Sequence, residues 1–149
     1  MIDLLKIKTD VHFVLKDRRG RVKRSFSSSN LIMDAGKDGI ADQLLNSPSI
    51  PVPSHIGLGV GTAPPQTSDQ TLEQEVGTRQ AVTKERTLNE IEFFAVFGPN
   101  EPTNQTLEIT EAGLFNAASG GDMWARITFG VVTKEPEDTF EVHWKWIVN

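Results

Sequence analysis

The sequence predicts a mainly β chain: an antiparallel β-sandwich, jelly-roll-like, with one short helix near residues 35–45. Three observations carry this. First, period-two alternation recurs in short segments. It is clearest at Phe140–Val148, where Phe140, Val142, Trp144, Trp146 and Val148 share one face and Glu141, His143, Lys145 and Ile147 the other. Second, turn signals fall at the spacing of an antiparallel sandwich, separating about seven or eight strands. Third, 149 residues suffice for one core, and no linker composition divides them, so residues 1–149 read as a single domain.

Taken in order, the chain opens with a β-hairpin at about residues 11–28. Val11, Phe13 and Leu15 alternate with His12, Val14 and Lys16. Asp17-Arg18-Arg19-Gly20 turns the chain, and Val22 and Phe26, four apart, share a face on the return. Ser27, Ser28 and Ser29 break the pattern. Ile40 with Leu44, and Ala41 with Leu45, recur at helical spacing after Asp34, a candidate N-cap. That predicts a helix near Ala35–Leu45, weakened by Gly36 and Gly39 by about 1 kcal/mol each. Pro48, Pro51 and Pro53 stiffen the lead into His55–Gly61. There Ile56, Leu58 and Val60 share one face, and glycines occupy the other, as in a strand lying against another backbone or a bulky side chain. Thr62–Gln70 is a loop, and Leu72–Val76 reads as a helical turn supported by Glu73 or Glu75.

The remainder is all strand. Ala81–Thr87 and Glu90–Phe97 come first, then the loop 98–104 and Thr106–Phe115. Ser119-Gly120-Gly121-Asp122 is a strong turn. Trp124–Val132 and Phe140–Val148 close the chain around the polar loop Lys134–Asp138.

Composition excludes several classes. Hydrophobic residues make up 38% and charged residues 23%, which fits neither a disordered chain nor a membrane protein. No apolar run approaches the roughly 20 residues of a membrane helix. The opening MIDLLKIKTD lacks the apolar stretch and cleavage site of a secretory signal. There is no cysteine, so disulfides, thiolate catalysis and cysteine metal sites are excluded. The net charge of −5 is uneven. Residues 1–37 carry nine Lys/Arg against four Asp/Glu, and the rest carry six against sixteen. Six of the cations, Lys16, Arg18, Arg19, Arg21, Lys23 and Arg24, cluster around Gly20 at the hairpin tip. With no aromatic among them, and an acidic chain around them, nucleic acid is disfavoured. A solvated hairpin tip is the plain reading of such a run, and beyond that an acidic protein surface or a second copy suits it better than nucleic acid.

Chemistry-bearing patterns are sparse. His12, His55 and His143 lie in separate strand contexts, without the spacing of a zinc site. Gly57–Gly61 has GxGxG spacing followed by Pro64 and Pro65, which suits no phosphate-binding helix. Glu101, Glu108 and Glu111 are the carboxylates available for glycosidic chemistry, but Glu108 belongs to a solvated strand face. No GxSxG elbow is present, and the sequon at Asn104 has no secretion signal beside it. The expectation is no enzyme, no catalytic residue, no cofactor and no metal. Trp144 and Trp146 would form a sugar-binding platform if exposed, but their alternation with Glu141 and Lys145 favours core.

Three stretches together resemble small structural proteins of tailed phages. They are Asn30-Leu31-Ile32 leading to Gly36; His55–Thr62 followed by Ser68-Asp69 and Leu72-Glu73; and Ile109–Asn116 running through Gly120–Phe129 to Trp144-Lys145-Trp146. The resemblance covers roughly residues 30–148 and omits the hairpin. It implies a non-enzymatic virion protein made in the host cytoplasm. Capsid decoration, or cement, comes first: a homo-oligomer binding the major capsid protein, with no membrane partner. A tail or baseplate fibre-attachment module is the alternative, and a carbohydrate-binding module the third. The open edges of a sandwich offer pairing with a second copy. Within the resemblance, Gly113 permits a bulge or a tight approach after Glu111 that turns Leu114 and Phe115 inward, and Glu111 and Arg126 are either a cross-strand ion pair or both solvated. Trp124, Phe129, Trp144 and Trp146 are the expected core.

Overall fold

A computed structural model describes residues 5–149. Ten strands and one helix follow in order: β1 (Ile7–Lys16), β2 (Val22–Ser28), β3 (Leu31–Ile32), α1 (Asp34–Asp42), β4 (His55–Gly59), β5 (Glu75–Ala81), β6 (Thr83–Thr87), β7 (Glu90–Phe97), β8 (Leu107–Phe115), β9 (Met123–Lys134) and β10 (Thr139–Val148). They form two five-stranded sheets, ordered β2-β1-β10-β7-β6 and β3-β9-β8-β4-β5. Every pairing is antiparallel. The sandwich is as the alternation predicts. Its hairpins β1–β2, β4–β5, β6–β7 and β8–β9 each close within one sheet. This order does not by itself contain the two Greek keys of a jelly roll.

The inner faces meet in one core. The first sheet contributes Val11, Phe13, Phe93, Phe97, Phe140, Val142, Trp144 and Trp146, and the second contributes Ile56, Leu58, Ile109, Ala112, Leu114, Ala125 and Ile127. Phe13 stacks on Phe140 at 5.6 Å, and Phe93 meets Trp146 edge-on at 5.7 Å. Trp144 donates its indole N–H to Asn30 Oδ1 at 2.9 Å, so its polar end is satisfied while its ring is buried.

Bulges re-aim individual side chains. On the return strand Lys16 pairs with Val22, whereas Leu15 pairs with Arg24, so Lys23 is an extra residue. Phe26 therefore packs on Phe13, while Val22 turns to solvent and does not share its face. On β9, Met123 pairs with Phe115 and Ala125 with Leu114, which leaves Trp124 unpaired. The bulge turns Trp124 into the core, where it stacks on Trp146 with ring centres 6.3 Å apart.

The helix differs from its prediction in both ends and face. Asp34 lies inside its first turn, and Met33 is the N-cap, with no capping side chain. The chain leaves the helix at Asp42, whose carboxylate accepts the N–H groups of Ser49 and Ile50 at 2.9 and 2.8 Å. Leu44 and Leu45, beyond that end, are exposed. The packing face is made by Gly36 and Gly39, the buried residues of α1. A Cβ at Gly39 would overlap the Trp124 ring, and one at Gly36 would overlap the Trp124 carbonyl. The glycines that weaken the isolated helix are what let it lie against β9.

Two further differences concern the middle of the chain. Leu72 is irregular and Glu73 and Gln74 form a bend rather than a helical turn, and the strand β5 begins at Glu75. The chain then passes from β5 in the second sheet to β6 in the first through Val82.

Gly39→Ala is expected to destabilise the fold by about 1–3 kcal/mol, because overpacking against a rigid ring outweighs the ~1 kcal/mol gain in helix propensity. The urea midpoint measures it. An unchanged or higher midpoint would contradict the packing described here.

Candidate functional site

The hairpin tip is locked by its own side chains. Asp17 Oδ1 accepts the backbone N–H groups of Arg19 and Arg21 at 2.8 and 3.0 Å, and Oδ2 accepts Arg21 Nε at 2.9 Å. The N–H of Arg21 is first among the causes that hold the Asp17 carboxyl below its ordinary value. Gly20, at φ +79°, supplies the left-handed residue of the turn and donates its N–H to the Asp17 carbonyl.

Most of the six cations are engaged within the chain. Lys16 Nζ reaches Glu141 Oε2 at 2.8 Å, and Lys23 Nζ reaches the buried Asp138 at 2.6 Å. Arg24 donates to the Val131 carbonyl at 2.8 Å and lies over the Phe26 ring at 4.9 Å. Among the described residues, only Arg18 and Arg19 of the six have side chains with no ion-pair or hydrogen-bond partner, and both are exposed. Their surroundings are mixed: Arg18, Arg19, Arg21 and Lys23 share a shallow depression with Asp17, Glu137 and Asp138.

Glu111 is the second notable group. The sequence places it opposite Arg126, and the two do pair, but in the interior: Glu111 is 0% exposed and Arg126 2%. Arg126 Nε donates to Glu111 Oε1 at 3.1 Å, and Nη2 lies 3.0 Å from the same oxygen. The pair is diagonal, since Glu111 faces Thr128 and Arg126 faces Gly113 in the ladder. Oε2 accepts the N–H groups of Gly61 and Gln74 at 2.7 and 2.8 Å, and Oε1 that of Glu73 at 3.0 Å. Arg126 Nη1 continues to Asp69 at 3.1 Å.

The glycine face of β4 makes room for this carboxylate. A Cβ at Gly59 would come within 2.6 Å of Glu111 Oε2, and one at Gly61 would overlap it. A Cβ at Gly57 would come within 2.7 Å of Glu75 Oε2 and press on Arg79 and Phe115. The bulky group that the glycine pattern predicts is thus mainly Glu111. Gly113 serves a similar end, since its Cβ would lie 2.7 Å from the Phe115 ring. Leu114 turns inward as expected. Phe115 does not: it joins Met33, Leu72 and Met123 in a small cluster on the outer face.

The remaining candidates are dispersed, with one exception. His12 and His143 stand directly opposite each other on β1 and β10, 6.1 Å between ring centres, rather than in unrelated places. His143 Nδ1 lies 2.7 Å from Glu92 and Nε2 3.4 Å from Glu141, while His12 meets Ser27 at 2.8 Å. His55 is in the other sheet beside Ser54. Glu101 accepts the Gly98 N–H, and Glu108 accepts Thr133 Oγ1 on the surface, so neither joins Glu111. Among the described residues, no three potential metal ligands converge, and no helix is long and apolar enough to cross a membrane. Trp124, Trp144 and Trp146 are buried, and Phe129 is half-buried at the core's edge against Phe13.

Two of the four sheet edges are blunted. The edge strand β6 is exposed along its length and carries Lys84, Glu85 and Arg86, and partial desolvation of Lys84 opposite Phe93 pushes its ammonium below the ordinary value. Charged side chains along an edge make pairing with a further strand costly. Beside β5, the Pro102 carbonyl accepts the Thr78 N–H, and Gly77 lies against it. No protein-family model, curated protein or solved structure matches this chain.

Two outcomes follow. Arg126→Met strands the Glu111 charge and is expected to cost about 3–5 kcal/mol in urea unfolding. A loss below roughly 1 kcal/mol would fit a solvated pair instead. The second concerns Glu141. Burial raises its carboxyl, but hydrogen bonds from Lys16 and His143, and their charges, bring it below its ordinary 4.5. A depressed carboxyl stabilises the fold above its unfolded value, and that stability is lost as the pH falls through the folded one. Lys16→Met is therefore expected to flatten the loss of stability below pH 4.5 and to leave the neutral region within about 1 kcal/mol.

Proposed function

We propose that this protein is a non-enzymatic structural component of a tailed-phage virion, made in the host cytoplasm and carried on the particle as a capsid decoration protein. The observation that carries the proposal is the hairpin tip. It is locked before binding by the Asp17 hydrogen bonds and presents Arg18 and Arg19, exposed and without partners among the described residues, on an acidic chain. A preformed tip gives up little conformational freedom on docking, so even modest charge contacts survive as affinity. Repeated over a shell of identical sites, such contacts add through multivalency. The resemblance of residues 30–148 to phage structural proteins supports the same reading. The partners are an acidic face of the major capsid protein and further copies of the chain. Burial of all three tryptophans removes the aromatic platform that motivated a carbohydrate-binding module.

Antibody-gold labelling of purified particles tests the location. Label over the head faces is expected. Label confined to the tail would transfer the role to a fibre-attachment or baseplate module, and no label on intact particles would overturn a virion role. Arg18→Glu with Arg19→Glu is expected to weaken binding to shells by roughly tenfold or more at low salt, and by less at high salt. Unchanged binding and salt dependence would exclude the tip as the contact.

A further inference from the structure

Residues 61–74 leave β4 and return to β5 as a loop whose two ends nearly touch. The N–H groups of Gly61 and Gln74, at opposite ends, donate to one atom, Glu111 Oε2, at 2.7 and 2.8 Å. The Val60 N–H closes the base by donating to the Gln74 carbonyl at 2.9 Å. The loop is also bonded to itself. Glu73 Oε1 accepts the N–H groups of Thr62 and Ala63 at 2.8 and 3.3 Å, and Asp69 Oδ2 accepts that of Gln66 at 2.9 Å. A compact surface loop with adjoining ends and its own internal bonds is an Ω-loop.

Its hold on the sandwich is narrow. Only Gly61 and Leu72 of the loop are buried. Leu72 packs into the small cluster with Met33, Phe115 and Met123, which is separate from the main core. The Thr67 carbonyl accepts the Asp34 N–H at 2.8 Å, Thr110 Oγ1 donates to the Gly61 carbonyl at 2.7 Å, and Asp69 meets Arg126 at 3.1 Å. Apart from the Val60–Gln74 bond at the base, the other side-chain ties among the described residues run to Glu111.

We infer that residues 61–74 form a strap that opens as a unit while the sandwich stays folded, and that the Glu111 carboxylate is its latch. Segments with few buried apolar contacts open at lower free energy than the core does. Here one apolar side chain and a handful of polar contacts must be released, and the interdigitated aromatics between the sheets are untouched. Opening uncovers Glu111 and Arg126 together with the side of the small cluster that Leu72 covers, while Arg79 of β5 stays over the Phe115 ring at 3.4 Å. The outer face of the second sheet thereby gains an exposed charged pair beside an apolar patch.

Hydrogen exchange on the unaltered full chain at low urea tests the unit. The amides of Gly61, Glu73 and Gln74 are expected to exchange together, at least about tenfold faster than those of β10 and with a much smaller urea dependence. Exchange at the rate and urea dependence of β10 would mean that the strap opens only by global unfolding, and would overturn the inference. Two variants test the latch. Glu111→Gln is expected to speed strap exchange a further tenfold or so while near-ultraviolet circular dichroism reports intact tryptophan packing. Asp69→Asn removes the strap's other ionic contact and is expected to change strap exchange by less than about threefold. An acceleration of tenfold by Asp69→Asn would move the latch from Glu111 to Asp69, and this arm decides even if Glu111→Gln does not fold.

Discussion

The buried carboxylate of Glu111 is the constraint that organises the second sheet. An ion taken from water into a protein interior costs several kcal/mol unless charge and hydrogen bonds replace the solvent. Arg126 supplies the charge, and three backbone N–H groups from two ends of one loop supply the remaining bonds. Each partner has a structural consequence. Accepting from Gly61 and Gln74 brings the loop ends together and fixes where β4 stops and β5 begins. Pairing with Arg126 ties β8 to β9 diagonally, and through Asp69 it reaches the middle of the loop. Gly59 and Gly61 are glycines where a Cβ would meet the carboxylate, while Gly57 makes room for Glu75, Arg79 and Phe115. Five features that look separate in the sequence, GLGVG, Asp69, Glu73, Glu111 and Arg126, are parts of one electrostatic arrangement.

A second close approach does similar work at the other end of the sheet. The β9 bulge turns Trp124 into the core, and α1 can then rest on its ring only through Gly36 and Gly39. The same backbone that positions the ring also holds the helix entrance, because the Trp124 carbonyl accepts the Met33 N–H at 2.8 Å. Helix propensity is spent here on contact geometry. A short helix with poor intrinsic stability is retained because tertiary packing, not propensity, holds it.

Much of the sandwich is legible in the sequence, and the failures have physical causes. The strands β7, β8, β9 and β10 are found within a residue or two because β7 and β10 alternate and β8 and β9 are largely buried segments bounded by turn signals. The strand β5, EVGTRQA, is missed because it is a polar edge strand, largely exposed, with a glycine at φ +70° interrupting it. The helix is found and Ile40 does pack on the core, but the rest of its face is misjudged: Leu44 and Leu45 have helical spacing and lie beyond its end, while the closest contacts are made by two glycines. Val22 follows the period-two rule until a bulge at Lys23 shifts it by one. The Glu111–Arg126 pair is legible as a pair but not as a buried one. The loop that covers it, residues 61–74, has no periodicity and almost no apolar residues. Burial imposed by a loop leaves no hydrophobic pattern to read.

The charge pattern shows the same limit from the other direction. Six cations in nine residues read as a strongly basic tip. In the folded chain Lys16, Arg21, Lys23 and Arg24 are matched by Glu141, Asp17, Asp138 and a backbone carbonyl. Two of these carboxylates lie more than a hundred residues away in sequence and arrive only when β10 pairs with β1. A charge run therefore overstates the free charge whenever the topology returns opposite charges beside it. The matched cations order the tip, and among the described residues Arg18 and Arg19 are the two of the six left without a partner. At two of the four sheet edges, the charged side chains of β6 and the Pro102 segment beside β5 disfavour pairing with another chain. The hairpin strand β2 is itself an edge of its sheet, so the ordered, charged turn stands at the end of an edge strand.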